Sequence, residues 1–187
     1  DDTFEAAVAE RRAMQARYSA THNATVVEMA QARRIALASH DDTDPAHIEL
    51  ACRDGVVISE FPTTRAAAAA AHESGLWTVM GAPNVVRGGS HSGNVAAVEL
   101  ARAGLLDILS SDYVPASLLH AAYLLQEQAG WTLPTAIATV SRTPARAIGL
   151  ADRGEIAVGQ RADLVRVRAH ADTPLVQGVW KQGRQVF

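Results

Sequence analysis

The chain has 187 residues and 48% hydrophobic content, enough for one domain, or a domain with a small appendage, around an ordinary core. A formal net charge of -3 and a pI near 6.2 exclude an overall basic field for nucleic acid or anionic membrane, so anions must be bound by local clusters. Cys52 is the single cysteine, which excludes an intrachain disulfide framework. Asp1 opens no signal-peptide pattern and no apolar run reaches the length of a membrane span, so the expected location is the cytoplasm.

Asp2-Thr3-Phe4-Glu5 reads as a helix start, and the helical pattern continues to about Arg34 with a break expected near Thr21-His22-Asn23. The apolar run from Ile35 to Ser39 is the first strand. Asp44-Pro45 places a capping carboxylate before a proline at the first helical position, predicting a helix from Pro45 to about Asp54 that Gly55 ends. Cys52 falls inside it and reads as a small buried hydrophobe. A second strand runs from Val56 to Glu60, and Thr63-Thr64 opens an alanine-rich helix ending at Gly75. A third strand covers Leu76 to Met80. After a loop from Asn84 to Asn94, a helix is expected from Asn94 to Ala103, closed by Gly104, and a fourth strand spans Leu105 to Ser111. Pro115 starts a long helix to Gly130, Leu133-Pro134 and Thr143-Pro144 begin two more, and short β segments follow Asp152-Arg153-Gly154.

Apolar runs alternating with helices read as parallel strands buried on both faces. A complete (β/α)8 barrel takes about 250 residues, and four strands supply half of its sheet. The expected architecture is therefore α/β: residues 1–152 as the second half of a TIM-like barrel, and residues 153–187 as a C-terminal β appendage. An open four-stranded sheet is the alternative, although its first strand would follow a long helix with no earlier strand for that helix to connect.

Barrels keep their chemistry at the C-terminal ends of their strands, where loops converge side chains on one point. Here four consecutive strand ends carry His40, Glu60, Asn84 and Asp112. His40 is suited to ligate a divalent ion through neutral imidazole; Asp112 is suited to ligate it, to take a proton from its water, or both, unless it merely caps the helix near Pro115. Of Asp41 and Asp42, one orients His40 or holds a metal ion and the other caps the helix at Pro45 beside Asp44. The candidate metal set is His40, Asp42, Glu60 and Asp112. In the loop, Gly88 and Gly89 would let backbone N–H groups approach an anion, Arg87 adds a forked donor, and the following helix presents its N-terminus. Asn84, Arg87, Gly88, Gly89, Ser90 and Asn94 are thus the candidate substrate-binding residues. His91 is a candidate donor to a leaving group, beside Asp112 as candidate proton acceptor. His22, His47, His72, His120 and His170 read as surface or packing residues.

The segments ALASHDDT, SEFPTT, MGAPNVVRGGSHSGN and LLDILSSDYVPASLL, in this order, resemble the phosphonate-metabolism branch of the amidohydrolase superfamily over nearly the whole chain. The tail, Thr143-Pro144-Ala145-Arg146 through Gly183-Arg184-Gln185-Val186, resembles the superfamily's barrel-to-β-sandwich ending. The resemblance implies a metal-dependent hydrolase of the carbon-phosphorus lyase pathway, using zinc, manganese or magnesium, that releases pyrophosphate from a ribose triphosphate. Family members carry a metal-binding His-x-His after their first strand, and no such pair occurs here, so the implied enzyme needs an N-terminal half of the barrel. Glu60 stands where a histidine ligand is frequent, which favours a hard metal. A small phosphorylated ribose is the expected partner, with a homo-oligomer also open. Two other readings remain: a cyclic amidase or base deaminase, for which Arg87 would have no use, and a non-catalytic half-barrel serving an assembly.

Overall fold

A computed structural model describes residues 2–90, 92–170 and 173–187. Helix α1 (Asp2–Ala32) is continuous over 31 residues. The expected break at Thr21-His22-Asn23 is absent because the stretch holds no glycine or proline, and its polar side chains find local contacts: Thr25 Oγ1 donates to the Thr21 carbonyl at 2.9 Å, and His22 stacks on Tyr18. Strand β1 (Leu37–His40) begins two residues later than expected. Arg34 turns left-handed (φ 54) and the Ile35 N–H donates to the Ala30 carbonyl at 2.9 Å, so this stretch closes the helix before the sheet begins.

Helix α2 (Pro45–Arg53) starts as expected, with the Asp44 carboxylate accepting from the His47 N–H at 3.1 Å. It buries Ile48 and Ala51, whereas Cys52, at the rim of that face in the last turn, is exposed, contrary to the buried reading. Strand β2 (Val56–Glu60) leads to α3 (Arg65–Glu73), capped by Thr64, whose Ala67, Ala68 and Ala71 are buried because small side chains let a helix lie close on a sheet. Strand β3 (Trp77–Gly81) runs straight into α4 (Ala82–Arg87), a short helix where a loop was expected; Pro83 sits in its first turn, where its missing N–H costs nothing. Then come α5 (Ala97–Arg102), β4 (Ile108–Ser110), α6 (Ser117–Ala129), α7 (Leu133–Ala138) and α8 (Arg142–Ala147). The last elements are β5 (Leu164–His170), β6 (Thr173–Lys181) and β7 (Arg184–Gln185).

The first four strands form one parallel sheet in the order β1-β2-β3-β4, half the complement of a (β/α)8 barrel, and the last three form a separate antiparallel sheet. His40 lies in register with Glu60, and Gly81 with Ser110, so the strand ends stand side by side. On the helix-covered face, Met80 and Leu109 pack with Val85, Leu100 and Leu125. On the other face, Val79 and Ile108 pack with Ala147, Ile58, Phe61 and Trp77. The far edge of β4 is partly covered, since Leu109 N–H donates to the Thr139 carbonyl at 3.1 Å. No strand among the described residues pairs with the outer edge of β1.

Candidate active site

Three of the four strands leave the sheet through a non-glycine residue in left-handed backbone: Asp41 after β1 (φ 59), Phe61 after β2 (φ 55) and Asp112 after β4 (φ 50). Aspartate tolerates this conformation, whereas a bulky aromatic rarely adopts it and must be held there by its surroundings. All three border one cleft of about 270 Å³ over the end of β3. Strand β3 ends in Gly81, and a Cβ there would stand 3.2 Å from Asp112 Oδ2 and 3.7 Å from Phe61 Cε1. The bare backbone of Gly81 leaves room for both side chains over the end of β3.

The two aspartates past β1 have divided tasks. Asp42 is 4% exposed, and its Oδ2 accepts from the hydroxyls of Ser39 and Ser59, each at 2.6 Å. Its carbonyl accepts from Thr63 N–H at 2.8 Å, so Asp42 ties β1, β2 and the turn before α3 together. Asp41 is exposed and its Oδ2 lies 3.1 Å from His40 Nδ1, with the Phe61 ring edge-on to the imidazole at 5.3 Å. Asp112 does not cap α6, whose N-cap is Ala116; its carboxylate has no hydrogen-bond partner among the described residues and faces the cleft. His40 borders a different cleft, beside β1, and Asp41 borders both. Glu60 borders neither. Among the described residues no group of three or more His, Cys, Asp or Glu side chains is placed to hold a metal ion, so His40, Asp42, Glu60 and Asp112 do not form a metal centre by themselves.

The glycines after α4 act differently from the expected anion nest. Gly88 is the left-handed C-cap of α4 (φ 85), its N–H donates to the carbonyls of Asn84 and Val85, and the Gly89 N–H donates to Asn84 at 2.9 Å. Both N–H groups therefore close the helix. The Asn84 side chain is engaged as well: its Oδ1 accepts from Ala97 N–H at 2.9 Å, capping α5, which starts three residues later than expected. What remains for a ligand is side-chain chemistry. Arg87, the last residue of α4, is exposed on the cleft and its guanidinium has no ion pair or hydrogen bond among the described residues. Ser90, Ser92 and Asn94 line the same wall, and Ser90 Oγ accepts from Ser92 N–H at 3.1 Å with its own proton free to donate. His91 lies outside the described residues.

Phe61 and Tyr113, which also line the cleft, were not singled out in the sequence. Each directly follows a strand end or a candidate aspartate, and an aromatic at that position was the signal available.

A family model described as the amidohydrolase family matches residues 2–187. The chain belongs to the amidohydrolase family. Its parallel and antiparallel sheets are consistent with a partial amidohydrolase barrel and the strands that follow it. The α-D-ribose 1-methylphosphonate 5-triphosphate diphosphatase of Escherichia coli (strain K12) is 51% identical over 180 residues, which is 95% of this chain and 48% of that protein. The chain thus spans about half the length of the curated relative it matches. An amidohydrolase from Thermotoga maritima MSB8 has the same fold with a TM-score of 0.67 at 23% identity, over 86% of this chain and 45% of that one. A 5-methylcytosine deaminase from Klebsiella pneumoniae gives 0.61 at 17% identity, over 89% and 51%. Amidohydrolases generally use divalent metal ions. Among the described residues no helix is long and apolar enough to cross a membrane.

Proposed function

We propose that this chain supplies the proton acceptor and the phosphate-binding wall of an enzyme that hydrolyses α-D-ribose 1-methylphosphonate 5-triphosphate to the 5-phosphate and pyrophosphate, the substrate named for the E. coli relative. The observation that carries this reading is one cleft lined by both the unengaged Asp112 carboxylate and the Arg87 guanidinium, neither with a partner among the described residues. In the reaction, water oxygen bonds to the α-phosphorus, the bond from that phosphorus to the bridging oxygen breaks, and its electron pair leaves with pyrophosphate. Asp112 takes the proton of the attacking water, and Arg87, with Ser90 and Asn94, holds the charge of the departing phosphates. Asn84, Gly88 and Gly89 act by closing α4 at Arg87, and for His91 we keep the role of donor to the leaving pyrophosphate. A cyclic amide or a neutral base would leave Arg87 without a counter-charge.

His40 and Asp112 are the residues we assign as this chain's contribution to metal binding; Asp42 is better explained by its serine bonds, and metal analysis decides between zinc, manganese and magnesium. We divide the chain into residues 1–152, a partial barrel, and residues 153–187, a β appendage, and place the reaction in the cytoplasm. The open edge of β1, beside a cleft of about 410 Å³ shared with α1, is where we propose that further barrel strands pair.

The test is pyrophosphate release from the triphosphate by the 187-residue chain, alone and joined to the N-terminal part of the E. coli relative. The chain alone is expected to be inactive and prone to associate, and the joined chain active. A monomeric, fully active 187-residue chain overturns the partial-site reading; an inactive joined chain that is folded and metal-loaded overturns the proposed reaction.

A further inference from the structure

Resting on the phosphate reading of the cleft, the geometry points to a sugar-binding platform formed by Phe61 and Tyr113, beside Asp112 in the cleft that Arg87 also lines. The connectivity of the ligand fixes which of its parts are neighbours in the cleft. The α-phosphorus is bonded to the 5-oxygen of the sugar on one side and, through a bridging oxygen, to the leaving phosphates on the other. If Arg87, Ser90 and Asn94 hold the leaving phosphates and Asp112 stands at the α-phosphorus, the sugar lies against the remaining lining residues next to Asp112. Phe61 and Tyr113 stand there: Phe61 Cε1 and Asp112 Oδ2 both approach the position a Gly81 Cβ would take, and Tyr113 is the next residue in the chain.

Two further observations support the platform. Phe61 holds left-handed backbone (φ 55), a conformation unfavourable for an aromatic, and its ring is placed against His40 and over Gly81, half-exposed on the cleft. Tyr113 is 64% exposed, and its hydroxyl has no hydrogen-bond partner among the described residues. An aromatic face offers apolar surface to the C–H face of a sugar ring, while the Tyr113 hydroxyl and the exposed Asp41 carboxylate offer hydrogen bonds to its hydroxyls. The cleft therefore offers two chemistries, donors and positive charge from Arg87 and its neighbours and aromatic carbon with acceptors from Phe61, Tyr113 and Asp41. Such a site takes a pentose phosphate rather than a bare polyphosphate.

Binding of ribose 5-phosphate and of inorganic phosphate to the 187-residue chain, measured by calorimetry, tests this. Ribose 5-phosphate is expected to bind about tenfold more tightly than inorganic phosphate, the scale of one good aromatic contact. Tyr113→Ala, an exposed position whose change leaves the core intact, and Phe61→Leu should each bring the two affinities together while phosphate affinity stays within about twofold. Arg87→Ala should weaken both ligands alike and keep their ratio. Equal affinities in the parent chain, or a ratio that Tyr113→Ala leaves unchanged, overturn the platform and leave the phosphate wall standing. Failure of both ligands to bind overturns the phosphate wall, and the platform with it.

Discussion

The turns after β1 and β4 each place an aspartate two residues past the strand, Asp42 and Asp112, and the fold treats the two carboxylates in opposite ways. Asp42 is buried, with two serine hydroxyls on one oxygen and its carbonyl tied to the next turn. Asp112 is exposed, bonded to nothing through its carboxylate among the described residues, and kept over the cleft by a glycine that gives it room. A carboxylate saturated with hydrogen bonds contributes to stability and has little left to offer a ligand. An unengaged one at a strand end is free to accept a proton or a donor from outside. The lesson is that distance from the strand end does not separate a structural from a chemical aspartate; the presence of hydroxyls on the neighbouring strand does.

The sharpest way to break this contrast is Asp112→Asn in the joined, active chain. Turnover is expected to fall by about 10²-fold to 10⁴-fold with the melting temperature unchanged, the usual effect of losing a positioned proton acceptor. An unchanged rate, or an equal loss from Asp42→Asn in a folded protein, would invert the two roles. Arg87→Ala comes next: tripolyphosphate affinity, measured by titration calorimetry, should weaken by about 1.5 to 3 kcal/mol, the range for hydrogen bonds to charged groups, again with stability unmoved. Asp42→Ala should do the reverse. Leaving the half-buried Ser39 and buried Ser59 hydroxyls without their acceptor is expected to cost about 1 to 3 kcal/mol in denaturant unfolding, with phosphate affinity per folded molecule unchanged.

The smallest effect concerns a third aspartate, Asp163, in the C-terminal part of the chain. The backbone N–H of Gln182, at 2.8 Å from its carboxylate, together with Arg161, holds its pKa below the ordinary aspartate value of 3.8. A depressed folded-state pKa gives stability that is present above the unfolded value and lost as the pH falls through the folded one. Asp163→Asn should therefore flatten the acid limb of thermal stability by lowering the melting temperature slightly at neutral pH while leaving it unchanged well below about pH 4, where the parent has already lost this contribution. A limb that keeps its slope would show that this carboxylate, unlike Asp42, contributes nothing to the fold.

Much of the frame was legible in the residues. Asp44-Pro45, Thr64, and the glycines after α2, α3 and α6 are local signals acting within one turn, so the helices fell close to where they were expected, and the apolar runs marked the four strands. The short helix α4 was missed because glycine and serine further along the segment read as a loop, while the turn that forms is stabilised by N–H groups of the two glycines themselves. Cys52 was misplaced by a single helical position, which only packing against α3 decides.

For the site, sequence by itself determined which chemical groups stand at the strand ends, because strand length and the turn residues set where each chain segment leaves the sheet. His40, Glu60, Asp112 and Arg87 were all visible in that way. Which of them meet was decided only by the tertiary structure. Asp42 is withdrawn into the sheet because the parallel register brings Ser59 beside Ser39, and Asp112 and Phe61 both reach over the end of β3 because that strand, lying between theirs, ends without a side chain. Both outcomes depend on residues on neighbouring strands some twenty to fifty positions apart in the chain, and one sequence carries no local signal of such contacts.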